Sequence, residues 1–134
     1  MPEFGGQARA IRRRSIVTMI DAVVLDDDPT SYNSDAVAVD PWTDFLLMLS
    51  VLSGGTPTTV QFILQFSDDG GTTWYDYKQG LFAALFYEDA DTVSVVEECF
   101  SGRVHGRDMR LRAVGTGTGA SDTFTITATL ELWS

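Results

Sequence analysis

In the last stretch of the chain Phe124, Ile126, Ala128, Leu130 and Leu132 occupy every second position, with Thr125, Thr127, Thr129 and Glu131 between them. Only an extended backbone sends alternate side chains to opposite faces. This segment is therefore a strand with one apolar and one polar face, the pattern of an antiparallel sheet buried on one side. The same period recurs at Val60, Phe62, Leu64 and Phe66 around Gln61, Ile63 and Gln65, and at Met109, Leu111 and Ala113 around Arg110 and Arg112. Weaker strand patterns cover residues 15–25, 35–39, 72–78, 81–87 and 92–99, and their Thr and Val content favours strand. Residues 80–87 also carry the best helical pattern, so that segment stays open between strand and helix.

Turn signals recur every ten or so residues: Asp28-Pro29, Asn33-Ser34, Asp40-Pro41, Gly54-Gly55, Gly70-Gly71 and Gly115 to Gly119. About eight short strands so punctuated predict an all-β fold, an antiparallel β-sandwich of jelly-roll-like form. Its core is expected at Phe62, Leu64, Phe66, Leu111, Phe124, Ile126 and Leu130. At 134 residues and 44% hydrophobic, the chain fits one domain with a sizeable core. Phe45 to Leu52 is apolar on both faces. It is bounded by Pro41 and the Ser53-Gly54-Gly55-Thr56-Pro57 loop, and reads as a strand whose second face meets another layer or another subunit.

Charge divides the chain. Residues 1–14 hold Arg9, Arg12, Arg13 and Arg14 against Glu3, a net +3, while the remainder holds 5 basic and 18 acidic residues, a net −13. The expected organisation is a basic N-terminal arm, 1–14, and a single sandwich domain, 15–134. Ten extended residues reach about 33–36 Å. Arg9, Arg12, Arg13 and Arg14 are thus expected to reach acidic groups or carbonyls of another chain, with Phe4 as an apolar anchor. The acidic body repels phosphate, which argues against nucleic acid as the main partner. No continuous apolar stretch has the length of a membrane span or follows the arginines as a secretory signal requires. No membrane role is expected, and synthesis is placed in the cytoplasm.

The sharpest local motif is Ser67-Asp68-Asp69-Gly70-Gly71-Thr72-Thr73-Trp74, between a clean strand and Tyr75-Asp76-Tyr77. It reads as a structural hairpin. Asp69 accepts backbone N–H groups of its own turn, and Gly71 takes a conformation that a Cβ disfavours. Ser67, Asp69, Gly71, Thr73 and Trp74 fit the Asp-box of sialidases and other β-propellers position for position. In those proteins the motif is structural and usually repeated. Here it occurs once, in a chain too short for a propeller.

The strand and hairpin from Val60 to Asp76 also resemble small β-sandwich proteins of tailed-phage virions, among them capsid decoration (cement) proteins. The resemblance rests on these 17 residues. It implies a non-enzymatic virion subunit that clamps a shell from outside, often as a trimer, with the major capsid protein or other virion subunits as partners and the virion as its location. A tail or neck position is a further virion alternative. A glycan-binding sandwich using Trp42, Trp74, Tyr75, Tyr77 and Trp133 is the alternative from another class.

Other chemistry-bearing residues carry less. One cysteine excludes an intrachain disulfide and a Cys-based zinc site. Cys99 and His105, joined across a Ser101-Gly102 turn, are a conceivable nucleophile and base. A lone cysteine is more often a small hydrophobe. Asp26-Asp27-Asp28 lacks the loop that calcium requires and reads as a solvated turn. No catalytic residue, cofactor or metal is expected.

Overall fold

The computed structural model describes residues 14–77, 85–88 and 94–134. They hold ten strands: β1 Arg14–Leu25, β2 Ser31–Asn33, β3 Val37–Ala38, β4 Asp44–Gly54, β5 Thr59–Ser67, β6 Tyr75–Asp76, β7 Leu85–Glu88, β8 Ser94–Arg103, β9 Asp108–Thr116 and β10 Thr123–Trp133. The alternating segments 60–66, 109–113 and 124–132 are β5, β9 and β10. Each forms a central strand, where one face must be buried along its whole length.

Two antiparallel sheets result. One runs β1-β10-β4-β8. The other runs β2-β9-β5-β6, with β3 also on β9 and β7 also on β5. β2 pairs with Arg112–Val114 and β3 with Asp108–Met109, so the two are successive pieces of one broken edge strand. β6 and β7 share the other edge of β5 in the same way. The pairs nest: first strand with last, β2/β3 with β9, β4 with β8, and β5 with β6/β7. This is a long antiparallel ribbon rolled on itself and closed by the β10–β4 and β9–β5 pairings, the topology of a jelly roll.

The core lies between the sheets. Phe62, Leu64 and Leu111 of one sheet and Ile126 and Leu130 of the other are fully buried, Phe66 and Phe124 nearly so, and Phe45, Leu47, Leu49 and Val51 of β4 lie beside the β10 residues in the same core. Fully burying one such side chain contributes about 1.5–3 kcal/mol. In β1 the consecutive Met19 and Ile20 are both buried, and the pairing with β10 shifts register on either side of Ile20. Ala22 follows at φ 49°, its N–H donating to Thr127 Oγ1 at 3.2 Å. These are the marks of an edge-strand bulge that re-aims side chains.

Three local expectations are corrected. Ser101-Gly102 is not a turn, because β8 runs through it to Arg103. A Cβ on Gly102 would lie 2.9 Å from Phe45 Cζ and 2.9 Å from the Tyr77 hydroxyl, so this glycine serves close packing. Asn33-Ser34 interrupts a strand rather than reversing the chain. Buried Ser34 accepts the Leu111 N–H on Oγ at 2.9 Å, and its own N–H donates to Leu111 O, also at 2.9 Å. In the 80–87 segment the described part, from Leu85, is strand, since it hydrogen-bonds the open edge of β5; residues 80–84 lie outside the described residues.

Candidate functional site

The motif hairpin is built around two side chains. Ser67, buried at the end of β5, donates its hydroxyl to Asp69 Oδ1 at 2.8 Å and accepts the Gly71 N–H at 2.9 Å. Asp69 Oδ1 also accepts the Thr73 N–H at 2.8 Å. These donors stabilise the carboxylate, the Thr73 amide first and the Ser67 hydroxyl next, and its pKa falls to about 2. Gly70 and Gly71 have φ of +75° and +92°, and a Cβ on Gly71 would press to 3.3 Å from the Trp74 ring. Asp69 thus spends its lone pairs on its own turn. A carboxylate ionised down to so low a pH is unsuited to proton transfer near neutrality.

Beyond the turn, Trp74 lies under the Arg110 guanidinium, 4.5 Å from the ring centroid. Arg110 Nε–H donates to Gln65 Oε1 at 2.7 Å, and Gln65 Nε2 donates to Asp76 Oδ1 at 2.8 Å. Burial, and next the neighbouring Arg112, lower the pKa of Arg110. The alternation of β5 and β9 puts Gln65 and Arg110 on polar strand faces, and nothing local in the sequence joins them to Asp76.

The other candidates separate. Cys99 sits on β8 in register with Met48 and is exposed. His105 lies beyond the end of β8 with its ring 6.0 Å from Phe66 and 5.3 Å from Tyr77. Four strand residues from Cys99 to Arg103 already span about 13 Å, so the thiol and the imidazole form no nucleophile–base pair. Asp26 folds back on its own turn, its Oδ1 accepting the Asp28 N–H at 2.8 Å. Among the described residues no group of three or more His, Cys, Asp and Glu is placed to hold a metal.

The aromatic side chains do not share one platform. Tyr77 joins Phe45, Phe66 and His105 in a ring cluster, Trp42 packs against the core, Trp74 is capped by Arg110, and Tyr75 stands 66% exposed. Of the arm residues, Arg14 is the first residue of β1 and ion-pairs with Glu131 of its own chain. Phe4, Arg9, Arg12 and Arg13 lie outside the described residues.

Among the described residues, no second layer covers the outer face of β4. Met48 and Leu52 are 38% and 40% exposed on the outside of the first sheet, where Ile16 and Val24 of β1 are also exposed. β10 fills the centre of this face with Thr125, Thr127 and Thr129. A shallow groove of about 400 Å³ crosses it, lined by Met48, Ser50, Glu97, Cys99, Thr127 and Thr129. Among the described residues, no helix is long and apolar enough to cross a membrane.

No protein-family model matches the chain, and no curated protein is significantly similar to it. Solved structures are similar in fold. A protein from the structure of infectious bursal disease virus strain Gx superposes with a TM-score of 0.57 at 10% identity, over 92% of this chain and 32% of that one. The VP2 subviral particle of the same virus gives 0.47 at 10% identity, over 92% and 32%. Murine APRIL gives 0.48 at 11% identity, over 86% and 98%. The chain thus spans about a third of the length of the viral proteins it resembles. At such identity the likeness establishes the class of fold, a two-sheet jelly roll.

Proposed function

We propose that this chain is a non-enzymatic structural subunit of a virion, and within that class a capsid decoration protein that seats on the outside of a phage shell. The observation that carries the proposal is the likeness of nearly the whole chain to part of an infectious bursal disease virus protein, at a TM-score of 0.57. The hairpin motif, with its resemblance to tailed-phage sandwich proteins, supports the finer assignment. Asp69 and its neighbours act in it as scaffold.

Attachment would be adhesive. Arg9, Arg12 and Arg13 are proposed to grip acidic groups or carbonyls of the major capsid protein, with Phe4 as anchor, because a planar guanidinium holds a carboxylate by two parallel bonds. Each exposed pair contributes only about 0–1 kcal/mol. Self-association, with the trimer that the resemblance implies, multiplies the number of arms per assembly and raises their effective concentration. The protein is made in the host cytoplasm and ends in the virion.

Purified particles are the test. A 14.7-kDa chain should be present in them in stoichiometric amount, and particles stripped of it should regain it on addition of pure protein. Labelling confined to the tail or neck would keep the virion role and overturn the decoration role. Absence from particles, together with retention on a glycan array, would overturn both in favour of a glycan-binding module.

A further inference from the structure

The outer face of the β1-β10-β4-β8 sheet is unlike the rest of the described surface. Of the large hydrophobic side chains exposed among the described residues, Ile16, Val24, Met48 and Leu52 all stand on it, and Tyr75 alone lies elsewhere. The threonines of β10 between them are short and uncharged. In a chain of net charge −10, the charges in register on this face nearly cancel. Arg14 pairs with Glu131, Asp44 faces Arg103 across β4 and β8, and Glu97 and the exposed Asp21 of the β1 bulge are left over, a small net negative charge.

We infer that this face is a self-association surface, covered in the assembled protein by a further copy of the same chain. Two observations choose that occupant. The first is charge. With two pairs of opposite charge in register and only Asp21 and Glu97 over, the face has little complement for a strongly basic or acidic partner. Two copies that repel each other elsewhere meet at least electrostatic cost where their charges are already internally matched. The second is area. Strands of eleven residues at about 3.4 Å each and four strands at about 4.8 Å make a face of roughly 35 by 19 Å. Two copies together would bury about 1,300 Å², within the range of specific interfaces, about 1,200–2,000 Å². The groove beside Met48 offers a socket for an apolar side chain of the neighbour, the kind of site where binding energy concentrates. The inference deepens the self-association part of the proposed function and does not depend on attachment to a shell.

Sedimentation of the full chain tests it. The expected mass is two or more times 14.7 kDa. Added salt should strengthen the assembly by screening like charge. Met48→Glu with Leu52→Glu should give a folded monomer, and Tyr75→Glu, on the other sheet, should leave the multimer intact. Because charges placed mid-strand also threaten folding, Cys99 supplies a readout in the wild-type protein. Its rate of maleimide labelling should fall about ten-fold or more from low to high micromolar protein, as the face becomes covered. A wild-type monomer at high micromolar concentration in high salt overturns the inference. So does a multimer whose Cys99 labels at the same rate at every concentration. A monomer that still binds particles sinks this inference alone and leaves the virion assignment standing.

Discussion

Asp69 is an exposed carboxylate whose work is local. Its folded pKa of about 2 lies below the ordinary 3.8 because the Thr73 amide and the Ser67 hydroxyl donate to its charged form. A depressed carboxylate adds stability that is fully present above its unfolded pKa. That contribution is lost as pH falls through the folded value, so the window here runs from 3.8 down to about 2. Asp69→Asn keeps an acceptor but has nothing to protonate. Its melting temperature should therefore fall less steeply than wild type across that window. Equal slopes in parallel thermal melts would show that the charge of Asp69 contributes nothing. Asp69→Ala should lower the melting temperature at neutral pH. Phe62 is a contrasting case: it is fully buried between the sheets and has no polar role. Phe62→Ala should cost about 3–5 kcal/mol by denaturant titration, from lost transfer energy and the cavity left behind. A cost below ~1 kcal/mol would contradict the packing described.

At the scale of the element, Gly102 separates two accounts of the same residues. A turn would tolerate alanine there or reject it for backbone reasons. A strand packed against Phe45 rejects it for space, since the new Cβ would stand 2.9 Å from the ring. Gly102→Ala should cost about 1–3 kcal/mol, the usual penalty of overpacking. The cost should shrink when Phe45→Leu is present, because contacting sites are not additive. Full additivity in that cycle would argue for the turn. The difference also explains what the sequence could reveal. β5, β9 and β10 are central strands with one buried face, and that burial writes itself as alternation in Val60–Phe66, where Ile63 alone departs from it, and in Met109–Ala113 and Phe124–Leu132. β2, β3, β6 and β7 are short edge pieces of two to four residues, too short for a period to register. Their breaks depend on side chains that act through tertiary contacts, such as Ser34 on the Leu111 backbone. The hairpin was legible because its chemistry is local, within Ser67 to Trp74. The network of Gln65, Arg110 and Asp76 joins residues up to 45 positions apart, and no local pattern announces it. The apolar run at 45–52 marked a strand apolar on both faces, and of its outer residues Met48 and Leu52 are exposed.

For the whole molecule, the proposed roles of arm and face respond to salt with opposite sign, which allows one experiment to divide them. Arm attachment would rest on arginines meeting acidic groups, so added salt screens and weakens it. Face-to-face association of chains of net charge −10 is opposed by repulsion, so added salt strengthens it. Removal of residues 1–13 keeps Arg14, whose ion pair with Glu131 belongs to β1 and β10. The truncated chain should therefore fold, with a melting temperature close to that of the full chain and the same sedimenting mass. It should bind particles much more weakly, and the full chain in high salt should approach the same loss. The measurement is co-sedimentation of each protein with particles over a salt series, beside sedimentation of each protein alone. If the truncated chain decorates particles as well as the full chain, the arm carries no attachment. If truncation instead dissolves the multimer while leaving binding by single chains intact, the arm joins copies to each other, and the assignment of arm to shell and face to self is reversed.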